Sequence, residues 1–150
     1  MSRTAMLLVG VVMAVTLAGC GSSTESSSPR AADPGAVEGF ERTTVEVVAS
    51  DVAAGRSLLV DVREPVEWDQ GHAPTALHVP LASVDAELDR IEAAAEGRPI
   101  LFICRSGSRS AQASQVAVDG GLEQVASIDG GMQAWVDAGE PIVPASGSVA

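Results

Sequence analysis

From residue 43 onward, short runs of β-branched and other apolar residues alternate with Ala-rich stretches whose apolar positions recur at helical spacing. This alternation predicts strands joined by helices around a mostly parallel sheet. Val45–Val48 reads as the first strand, and Ser50 as the cap of a short helix, Asp51–Ala54, closed by Gly55. Leu58–Val62 and Ile100–Cys104 read as buried strands by their apolar runs. Pro65 suits the first turn of a helix reaching Gln70, and Gly71 ends it. Ala76–Val79 is a short strand before Pro80. Ser83 then caps a helix whose apolar face repeats at Val84, Leu88 and Ile91, and Gly97 and Pro99 stop it. Ser110–Val118 is a helix ended by Gly120 and Gly121, Val125–Ile128 a last strand, and Met132–Ala138 a helix closed by Gly139 and Pro141. The expected fold class is α/β, a central, mostly parallel sheet of about five strands flanked by helices, over residues 43–144. Residues 145–150 form a tail.

The pattern before residue 43 is different. Arg3 is the only charge ahead of an apolar run from Ala5 to Gly19. At 1.5 Å per residue this run of about 15 residues reaches roughly 22 Å, short of the roughly 30 Å bilayer core. It reads as an export signal, residues 1–19. The run ends in Leu17-Ala18-Gly19-Cys20, which resembles the lipobox of bacterial lipoproteins, where the cysteine is lipidated and becomes the mature N-terminus. Residues 20–42 read as a lipidated N-terminus and flexible linker, with Ser, Pro and Gly in place of large apolar groups. About 22 flexible residues reach on the order of 25 Å, enough to hold a domain clear of the lipid headgroups. The expected location is outside the cytoplasm, anchored to the cell membrane through Cys20.

Charge narrows the partners. All 9 basic residues are Arg, against 20 Asp and Glu, for a net charge of -11. Such a chain repels polyanions, so no nucleic-acid partner is expected. With only 2 cysteines in 150 residues, packing rather than a disulfide framework must hold the fold.

The candidate chemistry sits where the second buried strand meets a helix. Cys104 ends that strand and is followed by Arg105-Ser106-Gly107-Ser108-Arg109-Ser110. The sulfur should therefore lie at the carboxyl end of the sheet, where open α/β folds place ligands. A turn of small residues leading into a helix can curl its amides inward as an anion nest. That nest, with Arg105 and Arg109, should lower the thiol pKa and leave a nucleophilic thiolate at neutral pH. Arg109 has two readings, an anion ligand or a structural tie to an acid such as Asp61 or Glu64. Asp61 and Arg63 either orient the loop from behind or form an ordinary turn ion pair. His72, in a Gly-His-x-Pro turn, is expected to make a structural hydrogen bond, and Trp68 and Trp135 to pack in the core or at its rim. Two isolated histidines and one thiol make no metal-ligand cluster, and no cofactor is implied.

Four segments carry a resemblance to the rhodanese-like single-domain sulfurtransferases over residues 43–144. Leu59-Val60-Asp61-Val62-Arg63-Glu64 is similar to the family's strand-to-turn signature. Gly71-His72-Ala73-Pro74-Thr75-Ala76-Leu77-His78-Val79-Pro80 is similar to its Gly-His-Ile-Pro-Gly-Ala-x-Asn-Ile-Pro stretch, departing at Thr75 and His78. Cys104 to Ser110 resembles its active loop, and Gly130-Gly131-Met132-Gln133-Ala134-Trp135 with Ala138-Gly139-Glu140-Pro141-Ile142 its closing helix. The resemblance implies persulfide chemistry: the Cys104 thiolate takes the outer sulfur of a donor such as thiosulfate and passes it to cyanide or a thiol. It also implies a binding loop of Arg105, Ser106, Gly107, Ser108 and Arg109, supported by Asp61 and Arg63. The partners expected are these small molecules, the membrane through the lipid anchor, and a protein sulfur acceptor as a further option, for a chain acting as a monomer. One rival is a non-catalytic, envelope-anchored persulfide carrier or binding module. Another is a Cys-dependent phosphatase or arsenate reductase, whose loops place five residues between Cys and Arg; here Cys104 and Arg109 have four between them.

Overall fold

The structure, a computed structural model, describes residues 39–144 and 146–149. The export signal, the lipidation at Cys20 and most of the linker lie outside the described residues. Among the described residues, no helix is long and apolar enough to cross a membrane.

Five strands form one sheet: β1 Glu41–Thr43, β2 Leu58–Asp61, β3 Leu77–His78, β4 Ile100–Ile103 and β5 Val125–Ile128. Their order is β1-β5-β4-β2-β3 and every pairing is parallel. Around it lie α1 Val45–Ala53, α2 Pro65–Gln70, α3 Leu88–Ala95, α4 Ser108–Asp119 and α5 Gly131–Asp137. The α/β architecture expected from the alternating pattern is the one observed.

The period of two along β4 sorts its side chains between two cores. Ile100, Phe102 and Cys104 join Ile91 and Ala95 of α3 and Ala113 and Ala117 of α4. Leu101 and Ile103 join Val45, Val48 and Val52 of α1 and Met132 and Trp135 of α5. Cys104 thus points to the α3/α4 side, directly beneath the loop that opens α4.

Two expectations are corrected. Val45–Val48 is not a strand but the start of α1, and the sheet edge is β1, formed by Glu41 and Arg42, read as linker, with Thr43, which register against Ala126, Ser127 and Ile128. The physical reason lies in the spacing: Val45, Val48, Ala49 and Val52 share one helical face, all buried, and burying that stripe outweighs the strand preference of β-branched residues. Ser50 accordingly lies inside α1 rather than at its cap. The segment after Pro80 also differs, since two 3₁₀ turns, Leu81–Ser83 and Asp85–Glu87, precede α3. Residues three apart eclipse in such turns, so Leu81 and Val84 both reach the core.

The strand order fixes where a ligand can bind. From β2 the chain moves outward to β3, then returns past β2 to β4, so the direction of winding reverses between β2 and β4. The crevice outside the carboxyl ends of strands at such a reversal is where open α/β sheets bind ligands. Here it lies between Asp61–Arg63 and Cys104.

Candidate active site

Cys104 is fully buried and unpaired, and its Sγ accepts a hydrogen bond from the Gly107 N–H at 3.1 Å. Burial pushes the thiol pKa up, but the backbone N–H groups of Ser110, Gly107 and Ser106 and the Ser110 hydroxyl outweigh it, and the pKa lies below the ordinary thiol value. The loop bends to deliver these donors because Gly107, at φ 108°, takes a backbone conformation open chiefly to glycine.

The loop is held from both ends. At the α4 end, the buried Ser110 hydroxyl donates to the Gly107 carbonyl at 3.0 Å and accepts from the buried Ser127 hydroxyl of β5 at 2.9 Å. From behind, the N–H groups of Met132 and Gln133 donate to the carbonyls of Cys104 and Arg105 at 2.7 and 3.1 Å. That approach requires Gly131: a Cβ there would collide with the Cys104 carbonyl oxygen, and its φ of 56° is left-handed.

The arginines divide sharply. Arg109, on the first turn of α4, makes a two-point ion pair with Glu67 of α2, Nη1 to Oε2 at 2.6 Å and Nη2 to Oε1 at 2.7 Å. This contact holds the Glu67 carboxyl at about 2 and raises the Arg109 pKa. Of the two readings for Arg109, the tie to an acid is the one present, though the acid is Glu67 rather than Asp61 or Glu64. Arg63 and Asp61 are both fully buried and paired at 2.7 Å, and Arg63 also donates to the Glu67 and Gly71 carbonyls at 3.2 and 2.7 Å. They pin α2 and its exit turn to the end of β2. Arg42, Arg56, Arg90 and Arg98 pair with Asp129, Asp51, Glu87 and Glu96. Among the described residues Arg105 alone, exposed on the loop, leaves its guanidinium without an acid partner. Ser106 and Ser108 are exposed beside it.

Glu67 and Ser127 are the site neighbours that reading along the chain missed, and Ser110, read as the last residue of the loop, gains a hydrogen-bonding role there. A signal for Glu67 was present: Glu64 and Glu67, three apart around Pro65, form a reciprocal capping box at the start of α2. The departure at His78 has a visible consequence of its own. The His78 ring contacts the Arg63 carbonyl at 2.9 Å through Nε2, and both His78 and His72 stack on Trp68, with ring centroids 4.5 and 3.5 Å away. His72 Nδ1 meets the Trp68 carbonyl at 2.9 Å, the structural bond expected of it. Trp135 is a core residue whose Nε1–H donates to the Pro141 carbonyl at 3.0 Å.

Comparison with known proteins agrees with this geometry. A solved Rhodopseudomonas palustris protein of unknown function, described as a possible tyrosine phosphatase, is 33% identical over 69% of this chain and 84% of its own, with a TM-score of 0.61. The human single-domain sulfurtransferase TSTD1 is 26% identical over 66% of this chain and 97% of its own, TM-score 0.56. A Thermoplasma volcanium rhodanese-related protein shares the fold at 24% identity over 69% of this chain and 98% of its own, TM-score 0.62. Residues 44–138 match the model of the rhodanese-like domain. With a cradled thiol at the reversal point of its sheet, the chain belongs to the rhodanese-like family, whose chemistry is of the sulfurtransferase type or a related cysteine-dependent kind.

Proposed function

We propose that the protein is a sulfurtransferase that carries a sulfane sulfur on Cys104, from a donor such as thiosulfate to cyanide or a thiol. The observation that carries this reading is the pairing of a thiol seated among inward-facing N–H donors with Arg105, next to it in the chain and, among the described residues, the one guanidinium without an acid partner. The thiolate attacks the outer donor sulfur, the bond between the two donor sulfurs breaks, and sulfite leaves with the electron pair. The negative persulfide that remains is the species that loop amides stabilise, as an oxyanion hole stabilises an alkoxide. Arg105 orients the donor's sulfonate oxygens. Because Sγ is enclosed, a donor reaches it only where the exposed loop residues yield, which favours a small one.

A phosphatase reading has behind it the Rhodopseudomonas palustris relative, a possible tyrosine phosphatase. Against it, the second guanidinium that would clasp a tetrahedral oxyanion is engaged by Glu67 at two points. The reading also places the chain outside the cytoplasm on a lipid at Cys20, with the sulfur-carrying domain beyond the linker.

Steady-state kinetics test the proposal: thiosulfate and cyanide should give thiocyanate by double displacement, and Cys104→Ser should abolish it. Thiocyanate production by Cys104→Ser would remove the nucleophile from the proposal. Sulfur loading that discharges only to a protein acceptor would make the chain a carrier rather than an enzyme.

A further inference from the structure

We propose that Glu67 sets the charge of the donor: by occupying Arg109 it leaves Arg105 as the single uncommitted cation at the loop, so the site favours sulfane donors with one negative charge over dianionic ones. The inference rests on Cys104 being the sulfur acceptor and names the donor class that acceptor takes.

Glu67 is poorly placed to let go. Its Oε2 also accepts the Glu64 N–H at 3.0 Å, and its backbone carbonyl accepts from the buried Arg63. The Glu67 and Arg109 side chains are only 18% and 26% exposed, so salt screens the pair less than a surface bridge. Arg63, the next cation, is cancelled by Asp61 at contact distance. The charges carried by the loop and its contacts therefore amount to the Arg109–Glu67 pair and one free cation, the exposed Arg105, with the carboxylate of Glu64 also acting on Arg109. One guanidinium can match one donor charge; a second donor charge finds no second free cation. As Glu67 acts through Arg109, it is a positioning residue.

Two donors isolate this charge. Thiosulfate and methanethiosulfonate both present an outer sulfur on an SO2 group, the first carrying an additional O⁻ where the second has CH3. In either case the Cys104 thiolate forms a bond to the outer sulfur, the donor S–S bond breaks, and sulfite or methanesulfinate departs with the electron pair. Charge and electrons balance without an oxidant.

The test uses the purified full chain and follows Cys104 loading by intact mass under single-turnover conditions. Wild type should load faster from methanethiosulfonate at equal concentration. Glu67→Gln, which frees Arg109, should shift the ratio about fivefold toward thiosulfate, through apparent donor affinity rather than the limiting rate. Arg109→Gln, which leaves Glu67 uncompensated, should shift it the opposite way and keeps the proposal testable if Glu67→Gln does not fold. The ratio of iodoacetate to iodoacetamide alkylation of Cys104 should move in the same directions, with no sulfur donor involved. Ratios that stay put, or that move the same way in both variants, overturn the proposal, since a merely structural Glu67 would slow both donors alike. If neither donor loads any form, sulfur acceptance itself fails; the alkylation ratio then decides separately whether Glu67 governs anion access.

Discussion

At the scale of single residues, the site is made by what surrounds one sulfur. Backbone N–H groups and the Ser110 hydroxyl lower the Cys104 pKa against the pull of burial. Alkylation of Cys104 should therefore titrate below the ordinary thiol value of about 8.5, and a midpoint at or above that value would mean the loop does not activate the thiol. Arg105→Ala should weaken donor use severalfold with little effect on melting, because an exposed, unpaired guanidinium contributes little to folding. Were melting to fall with kinetics unchanged, Arg105 would be structural. The thiol and its loop were legible in the sequence because a cysteine closing an apolar strand ahead of small residues and a helix is a local pattern. Glu67 was not, because the contact that matters lies 42 residues from Arg109 and only the winding of the sheet brings the two together.

At the scale of elements, α2 is a support for the loop, and its ion pairs govern how it responds to acid. Glu67 has a folded pKa of about 2, against an ordinary carboxylate value near 4.5. Its contribution to stability is therefore fully present above about 4.5 and lost as pH falls toward 2. Thermal melts across that range should show Glu67→Gln flattening this part of the profile, while a profile unchanged from wild type would contradict the assignment. Arg63→Ala leaves the Asp61 carboxylate buried and unpaired and should cost about 3–5 kcal/mol in denaturant unfolding. Behind the loop, Gly131→Ala should cost on the order of 2 kcal/mol and reduce sulfur uptake, since the added Cβ displaces the Cys104 carbonyl. The element assignments read from sequence held where an apolar run or a glycine stop was strong, as at Leu58–Asp61, Ile100–Ile103 and the helix after Pro65. They failed at Val45–Val48, where four residues fit either period and the choice depends on which face the rest of the fold covers.

At the scale of the whole molecule, two opposed fields act on an incoming anion. Between Thr43 and Pro144 there are 6 Arg against 16 Asp and Glu, yet the proposed donor is an anion. At physiological salt the Debye length is about 8 Å, so the diffuse acidic surface is largely screened while contact with Arg105 is screened less. Modest salt should consequently leave turnover intact or raise it slightly from very low ionic strength; a steep loss would mean that long-range attraction delivers the donor. The expected tether belongs to the same scale, and Cys20→Ala should release the protein from the membrane fraction, with a mature N-terminus other than residue 20 speaking against it. The most direct measurement of the central claim is the intact mass of the purified protein after mixing with a sulfane donor, then with cyanide. The account predicts a gain of one sulfur on Cys104 that cyanide removes and that Cys104→Ser never shows; no gain from any sulfane donor, or a gain that persists in Cys104→Ser, would contradict it.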